Sequence, residues 1–184
     1  MVRGVDRMPI FKDADDYRRY LRLAAEAGDC AGVRVLAYAL MPNHAHFLIE
    51  AESEQLSSFF RRLGVRHVGY FNRRHKRVGH LFQDRFKSKP VEDEAYFGVA
   101  VTYIHLNPVS GGLAKEPADY RWSSRRAWTS PDGLTDTARL AQLADLGALR
   151  QQEEDALRAP PSLAEPFPRR KGGRPRKGGA DGRK

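Results

Sequence analysis

Hydrophobic spacing along the chain alternates between two periods, and the changes of period mark its elements. Asp13–Asp29 sets Tyr17, Leu21 and Ala24 or Ala25 at helical spacing, with acidic residues at its start and a glycine near its end, and so predicts a helix. "GVRVLAYALM" (Gly32–Met41) is rich in β-branched and aromatic residues and predicts a strand. Pro42 and Asn43 supply a turn, and His44–Ala51 predicts a second strand that completes a hairpin. In Ser53–Arg77, Leu56, Phe59, Phe60, Leu63 and Tyr70 recur three and four apart with arginines between them, the pattern of an amphipathic helix. Gly79–Val91 reads as a further extended segment, stopped by Pro90. Glu92–Pro108 predicts a helix with carboxylates at its positive end and Pro108 at its exit. A short helix is expected within Asp136–Ala148, and from about Gln151 the polar, Pro- and Gly-rich sequence predicts disorder.

The order helix, strand, strand, helix, strand, helix predicts an α+β fold, an antiparallel sheet with helices packed on it. The 184 residues suit a single domain with its own core. A strand ahead of the first helix is not evident, and Met1–Phe11 supplies only part of one. No apolar run approaches the roughly 20 residues that cross a bilayer. The single cysteine, Cys30, excludes an internal disulfide and has no cysteine partner for zinc, so a cytoplasmic protein is expected.

Charge changes the picture through its location. Residues 60–90 carry ten Lys/Arg against one Asp and residues 169–184 carry eight against one, while the remainder is acidic. Two basic blocks on an acidic protein point to a polyanion, against the plainer reading of a solvated face and a solubilising tail. The candidate phosphate contacts are Arg61, Arg62, Arg66, Arg73, Arg74, Lys76 and Arg77 on the basic helix and its exit, and Arg85, Lys87 and Lys89 on the next strand. Tyr70, Phe71 and Phe82 could stack on unpaired bases or pack in the core.

Two constellations carry chemistry. In a strand, residues two apart share a face, so His44, His46, Leu48 and Glu50 lie opposite the core face of Ala45, Phe47 and Ile49. Two imidazoles on one face can grip a divalent ion, or be surface or hydrogen-bonded histidines. Glu50 is expected outside such a site. On the later helix, Tyr103 and Asn107 share a face: a phenol able to act as a nucleophile and a neutral oxygen suited to a hard ion. A core aromatic and a helix terminator are the alternatives.

"LMPNHAHFLI", "GHLFQDRFKS" and "YIHLNPV" followed by "PADYRWSS" occur in this order. Over about Arg3–Trp128 the chain resembles the REP-associated tyrosine transposases, relatives of the single-tyrosine insertion-sequence transposases of the HUH superfamily. The resemblance implies a ferredoxin-like sheet in which His44 and His46 bind Mg²⁺ or Mn²⁺, with Tyr103 as nucleophile and Asn107 as the third ligand. It implies a DNA nickase and strand transferase that cuts single-stranded DNA beside a repetitive hairpin. The products are a 5′-phosphotyrosine and a free 3′-hydroxyl, which can rejoin strands in transposition or recombination. The implied partner is single-stranded or hairpin DNA and not a membrane, with a monomer or homodimer in the nucleoid as the acting unit. The alternatives are a domesticated protein that binds hairpins without cutting, and a phosphodiesterase that uses activated water.

On this reading residues 1–130 form the transposase-like domain, 131–150 a helical extension and 151–184 a disordered basic tail. Lys171–Gly179 resembles an AT-hook with Arg174 at its core, although Gly172 stands where that motif has an arginine. The family's first strand is usually longer. The expectation is therefore an exposed sheet edge, and it stays open that Met1 is an internal methionine of a longer gene product.

Overall fold

A computed structural model describes residues 1–91 and 93–158. The elements follow in the order β1 (Val2–Arg3), α1 (Ala14–Ala31), β2 (Arg34–Met41), β3 (His44–Glu50), α2 (Ser53–Arg74), α3 (Glu94–Ser110), α4 (Thr137–Leu143) and α5 (Leu146–Arg158). Local chemistry sets several boundaries. The Asp13 carboxylate accepts from the backbone N–H groups of Asp15 and Asp16 and caps α1, and Gly32, at φ 67°, ends it in the left-handed region. Asp93 caps α3 by accepting from the Tyr96 N–H.

The three strands form an antiparallel sheet in the order β1-β3-β2. β2 and β3 pair from Arg34↔Glu50 to Met41↔His44, with a bulge between Val35 and Ala37, and β1 adds Val2↔Ala45 and Arg3↔His44. Helices cover both faces, which is why β2 reads as one apolar run: every residue from Val35 to Met41 is buried. One face packs on α1 and α2 through Tyr20, Leu23, Tyr38, Phe59, Leu63 and Phe71. The other packs on α3 and α5 through Ala37, Ala39, Leu48, Val101, Ile104 and Leu149. The α+β architecture is the one predicted, with a first strand of only two residues.

Four expectations change. Gly79–Val91 forms no strand. Instead it runs irregularly along β1, through Gln83 N–H to Arg3 O at 3.0 Å, Lys87 N–H to Met1 O at 2.9 Å and a single bridge between Gly4 and Phe82. That segment covers the β1 edge expected to lie open, while the Leu40 N–H donates to Trp122 O at 2.9 Å on the β2 side. Pro108 lies inside α3, which continues to Ser110: the ring removes the N–H bond of its own residue, and the following turn still closes through Gly111 N–H to Asn107 O at 2.9 Å. Finally, α5 carries order through Arg158, past the expected start of disorder at Gln151, because Leu149 and Glu153 are buried against the domain. The AT-hook-like stretch and Arg174 lie outside the described residues. Among the described residues no helix is long and apolar enough to cross a membrane.

Candidate functional site

β3 places its two imidazoles on the face that meets α3. Their ring centroids are 4.9 Å apart in an edge-to-face arrangement. Directly opposite residues in an antiparallel pair point to the same side. Arg3 and Met41 therefore flank His44, and Ala39 lies opposite His46. The methyl-sized side chains of Ala37 and Ala39 let α3 approach the sheet, and this brings Tyr103 to the histidines. Its ring centroid is 5.7 Å from that of His46, again edge to face. Four residues on, the Asn107 side-chain N–H donates to the Tyr103 carbonyl at 2.7 Å, which leaves its amide oxygen as the available donor atom. Residues 57 positions apart in sequence thus meet within one chain.

Both imidazoles are neutral. Burial lowers the His44 pKa to about 4, helped by the Arg3 guanidinium. His46, 8% exposed, is held well below the ordinary histidine value by burial, by His44 and by Arg3. A neutral ring is the ligand form of histidine, and the tautomer of His44 follows from its neighbour. The Asn43 side-chain N–H donates to Arg7 O at 3.1 Å, so its oxygen faces His44 Nδ1 at 2.6 Å and accepts the Nδ1–H. Nε2 is left with its lone pair. This outer bond is the kind that orients histidine ligands. The sequence reading took Asn43 for a turn residue and missed this role, although its place next to the His pair was a usable signal.

The donor set suits a hard divalent cation. Two imidazole nitrogens and one amide oxygen leave coordination positions for phosphate oxygens and water. Among the described residues no group of three or more His, Cys, Asp or Glu is placed to hold a metal. Glu50 takes no part: its carboxylate is held by Arg139 at 2.6 Å and Arg34 at 3.2 Å.

His105, on the opposite side of α3 from Tyr103, sits in a buried network. Its Nδ1 is 2.9 Å from Glu153 Oε1 and its Nε2 is 2.9 Å from Ser124 Oγ, which in turn accepts from the Tyr38 N–H at 2.8 Å. Arg125 Nε donates to the second Glu153 oxygen at 2.5 Å. A serine, a histidine and a carboxylate in line have the order of a hydrolase triad, but Ser124 and His105 are 0% exposed and no substrate can reach them. The network ties α3 to α5 and β2.

The basic residues divide. Arg66 pairs with Glu26, and Arg74 binds Asp16 at 2.6 Å and Asp13 at 2.7 Å, so both of these expected phosphate contacts are engaged inside the protein. Arg61, Arg62, Arg73, Lys76 and Arg85 are exposed, whereas Arg77 turns its guanidinium to His80 O at 3.5 Å. Lys87 lies 3.9 Å from Asp84, and Lys89 is exposed in the same segment. α2 lies across the sheet from the histidines, and the segment 81–87 that follows it runs along the β1 edge. Of the aromatic candidates, Phe71 is core, while Tyr70 and Phe82 are half-buried. Phe82 joins Phe60 and Phe86, which stack at 4.5 Å, in an 810 Å³ groove rimmed by Arg61 and Arg85.

The family model for IS200-like transposases matches residues 1–107. Among solved structures, that of the REP-associated tyrosine transposase bound to a REP hairpin is similar, with a TM-score of 0.50 and 22% identity over 65% of this chain and 71% of that one. At that identity the likeness speaks for the fold. No curated protein matches.

Proposed function

The chain belongs to the IS200-like transposase family, and from that membership we propose that it is a metal-dependent nickase and strand transferase acting on single-stranded DNA beside a hairpin. The observation that carries this reading is the packing of the Tyr103 ring on His46 within one chain. The reading therefore has tyrosine and histidines of the same subunit forming one site. His44 Nε2, an imidazole nitrogen of His46 and the Asn107 amide oxygen would hold Mg²⁺ or Mn²⁺. When bound, the ion withdraws charge from a non-bridging phosphate oxygen and offsets the negative charge that builds up during displacement.

The chain's own residues account for the remainder. Asn43 fixes the His44 tautomer, and burial keeps both rings neutral, so they present lone pairs without waiting for deprotonation. Tyr103 is the nucleophile: its oxygen forms a bond to phosphorus as the bond from phosphorus to the 3′-oxygen breaks. The phenolic proton leaves to solvent, and the departing 3′-oxygen takes up a proton to become a hydroxyl. The link conserves the phosphodiester bond energy, so the reverse attack by a 3′-hydroxyl rejoins strands without a nucleotide cofactor. The exposed arginines of α2, together with Arg85, Lys87 and Lys89, hold the backbone of the substrate. Phe82 and Phe86, in the groove beside them, offer stacking surface for an unpaired base.

A labelled hairpin oligonucleotide with a single-stranded flank, incubated with Mn²⁺, tests the reading. Wild-type protein is expected to yield a denaturation-resistant adduct and Tyr103→Phe none. Cutting that survives in Tyr103→Phe would indicate a water nucleophile. Tight binding with neither adduct nor cutting would leave only a hairpin-binding protein.

A further inference from the structure

Arg3 stands beside the imidazole pair on β1. Its position is fixed twice. It lies directly opposite His44 in the β1–β3 ladder, on the same face of the sheet, and its carbonyl accepts from the Gln83 N–H at 3.0 Å. Its side-chain contact is a weak one, Nη2 to the Met1 sulfur at 3.9 Å, and among the described residues no salt bridge reaches it. Arg3, Gln83, Arg85 and Lys87 line a cavity of about 60 Å³ at the same edge, where Asp84 is the one acid. A half-buried guanidinium with no ion-pair partner among the described residues has its donors available to an anion.

We propose that Arg3, backed by Arg85 and Lys87, forms a phosphate subsite next to the histidines, which binds the substrate's backbone at the phosphodiester to be cut. A guanidinium presents parallel N–H donors that match two oxygens of one phosphate, which a single ammonium does not. Placed on the histidine face, it adds fixed positive charge where the displacement gathers negative charge. The sequence reading did not count Arg3 among the DNA contacts, because a lone arginine in a two-residue strand carries no pattern. The cleavage role rests on the proposed nuclease reading, whereas the phosphate subsite does not.

The test uses the full chain with Arg3→Gln and Arg3→Lys in two arms. In EDTA, binding of a single-stranded oligonucleotide is measured across a salt series. Arg3→Gln is expected to lower affinity and flatten the salt slope by about 0.7, the loss of one phosphate contact. With Mn²⁺ and saturating hairpin substrate, Arg3→Gln is expected to slow adduct formation about 10²-fold, with Arg3→Lys intermediate because it keeps charge and loses the fork. Unaltered melting temperature and far-UV spectrum establish that both variants fold, since the β1 hydrogen bonds are main-chain. Salt slope and affinity unchanged in Arg3→Gln overturn the subsite. A slope that falls while the wild type forms no adduct upholds the subsite and removes the nuclease reading. An adduct rate within threefold of wild type would overturn the catalytic role of Arg3.

Discussion

His44 and His46 share a face because a strand alternates, but the nitrogen that His44 offers is decided by the residue before it. Asn43 is held by the Arg7 carbonyl and in turn fixes the Nδ1–H of His44. Asn43→Ala removes both bonds and leaves the ring free to change tautomer and turn. Mn²⁺ affinity measured by isothermal titration should fall about 10–100-fold with the fold retained. Affinity equal to wild type would show that His44 needs no such support. The imidazole pair was legible from a period of two in eleven residues, and Tyr103 with Asn107 from a period of four. Asn43 was not, because "PN" has the same letters whether it only turns the chain or also orients a ligand. The difference is made by a carbonyl 36 positions away.

At the level of elements, α3 presents Tyr103 and Asn107 to the sheet on one side and His105 to a buried acid on the other. Glu153 on α5 accepts from Arg125 at 2.5 Å and faces His105 Nδ1 at 2.9 Å, with only 3% of its surface exposed. Glu153→Ala would leave a buried arginine uncompensated, and a loss of about 3–5 kcal/mol is expected in urea unfolding. A loss below about 1 kcal/mol would show that the network does not hold α5 to α3. This part of the fold was the least readable. In "LGALRQQEEDALR" the core-facing positions Leu146, Leu149 and Glu153 keep helical spacing, but an acid fills the third, so the segment reads as solvated. The expected strand at Gly79–Val91 failed for the opposite reason. Its apolar residues suit an extended chain, yet few of its backbone groups enter a regular ladder, and it bonds to the backbone of residues 1–5 only at Leu81, Gln83 and Lys87.

Taken as a whole, the molecule keeps its basic helix and its histidine site on opposite faces of one sheet, joined around the β1 edge by the segment that carries Arg85 and Lys87. On the proposed reading a substrate reaching both bends around that edge, as a hairpin continued by a flexible single strand would. The charges on α2 are not equivalent. Arg74 closes the start of α1 onto the end of α2 through Asp13 and Asp16, whereas Arg62 and Arg73 face solvent. Arg62→Glu combined with Arg73→Glu should weaken hairpin binding and flatten its salt dependence without lowering the melting temperature. Arg74→Glu should instead lower the urea midpoint, because it sets a fourth carboxylate among Asp13, Asp15 and Asp16. Equal stability and equal binding losses for the two variants would contradict this division. The overall charge pattern was legible in the sequence. Which arginines were already engaged by carboxylates was not, since the partners of Arg74 lie about 60 residues earlier on another helix.

The site stands or falls on whether Tyr103 becomes joined to DNA. Wild-type protein is reacted with a hairpin substrate and Mn²⁺, digested with protease and nuclease, and sequenced by mass spectrometry. A nucleotide phosphate on the peptide at Tyr103, absent without the metal ion and absent from a His44→Ala, His46→Ala variant, is the expected result. A nucleotide on any other side chain, or on Tyr103 in equal yield without the histidines, would contradict it.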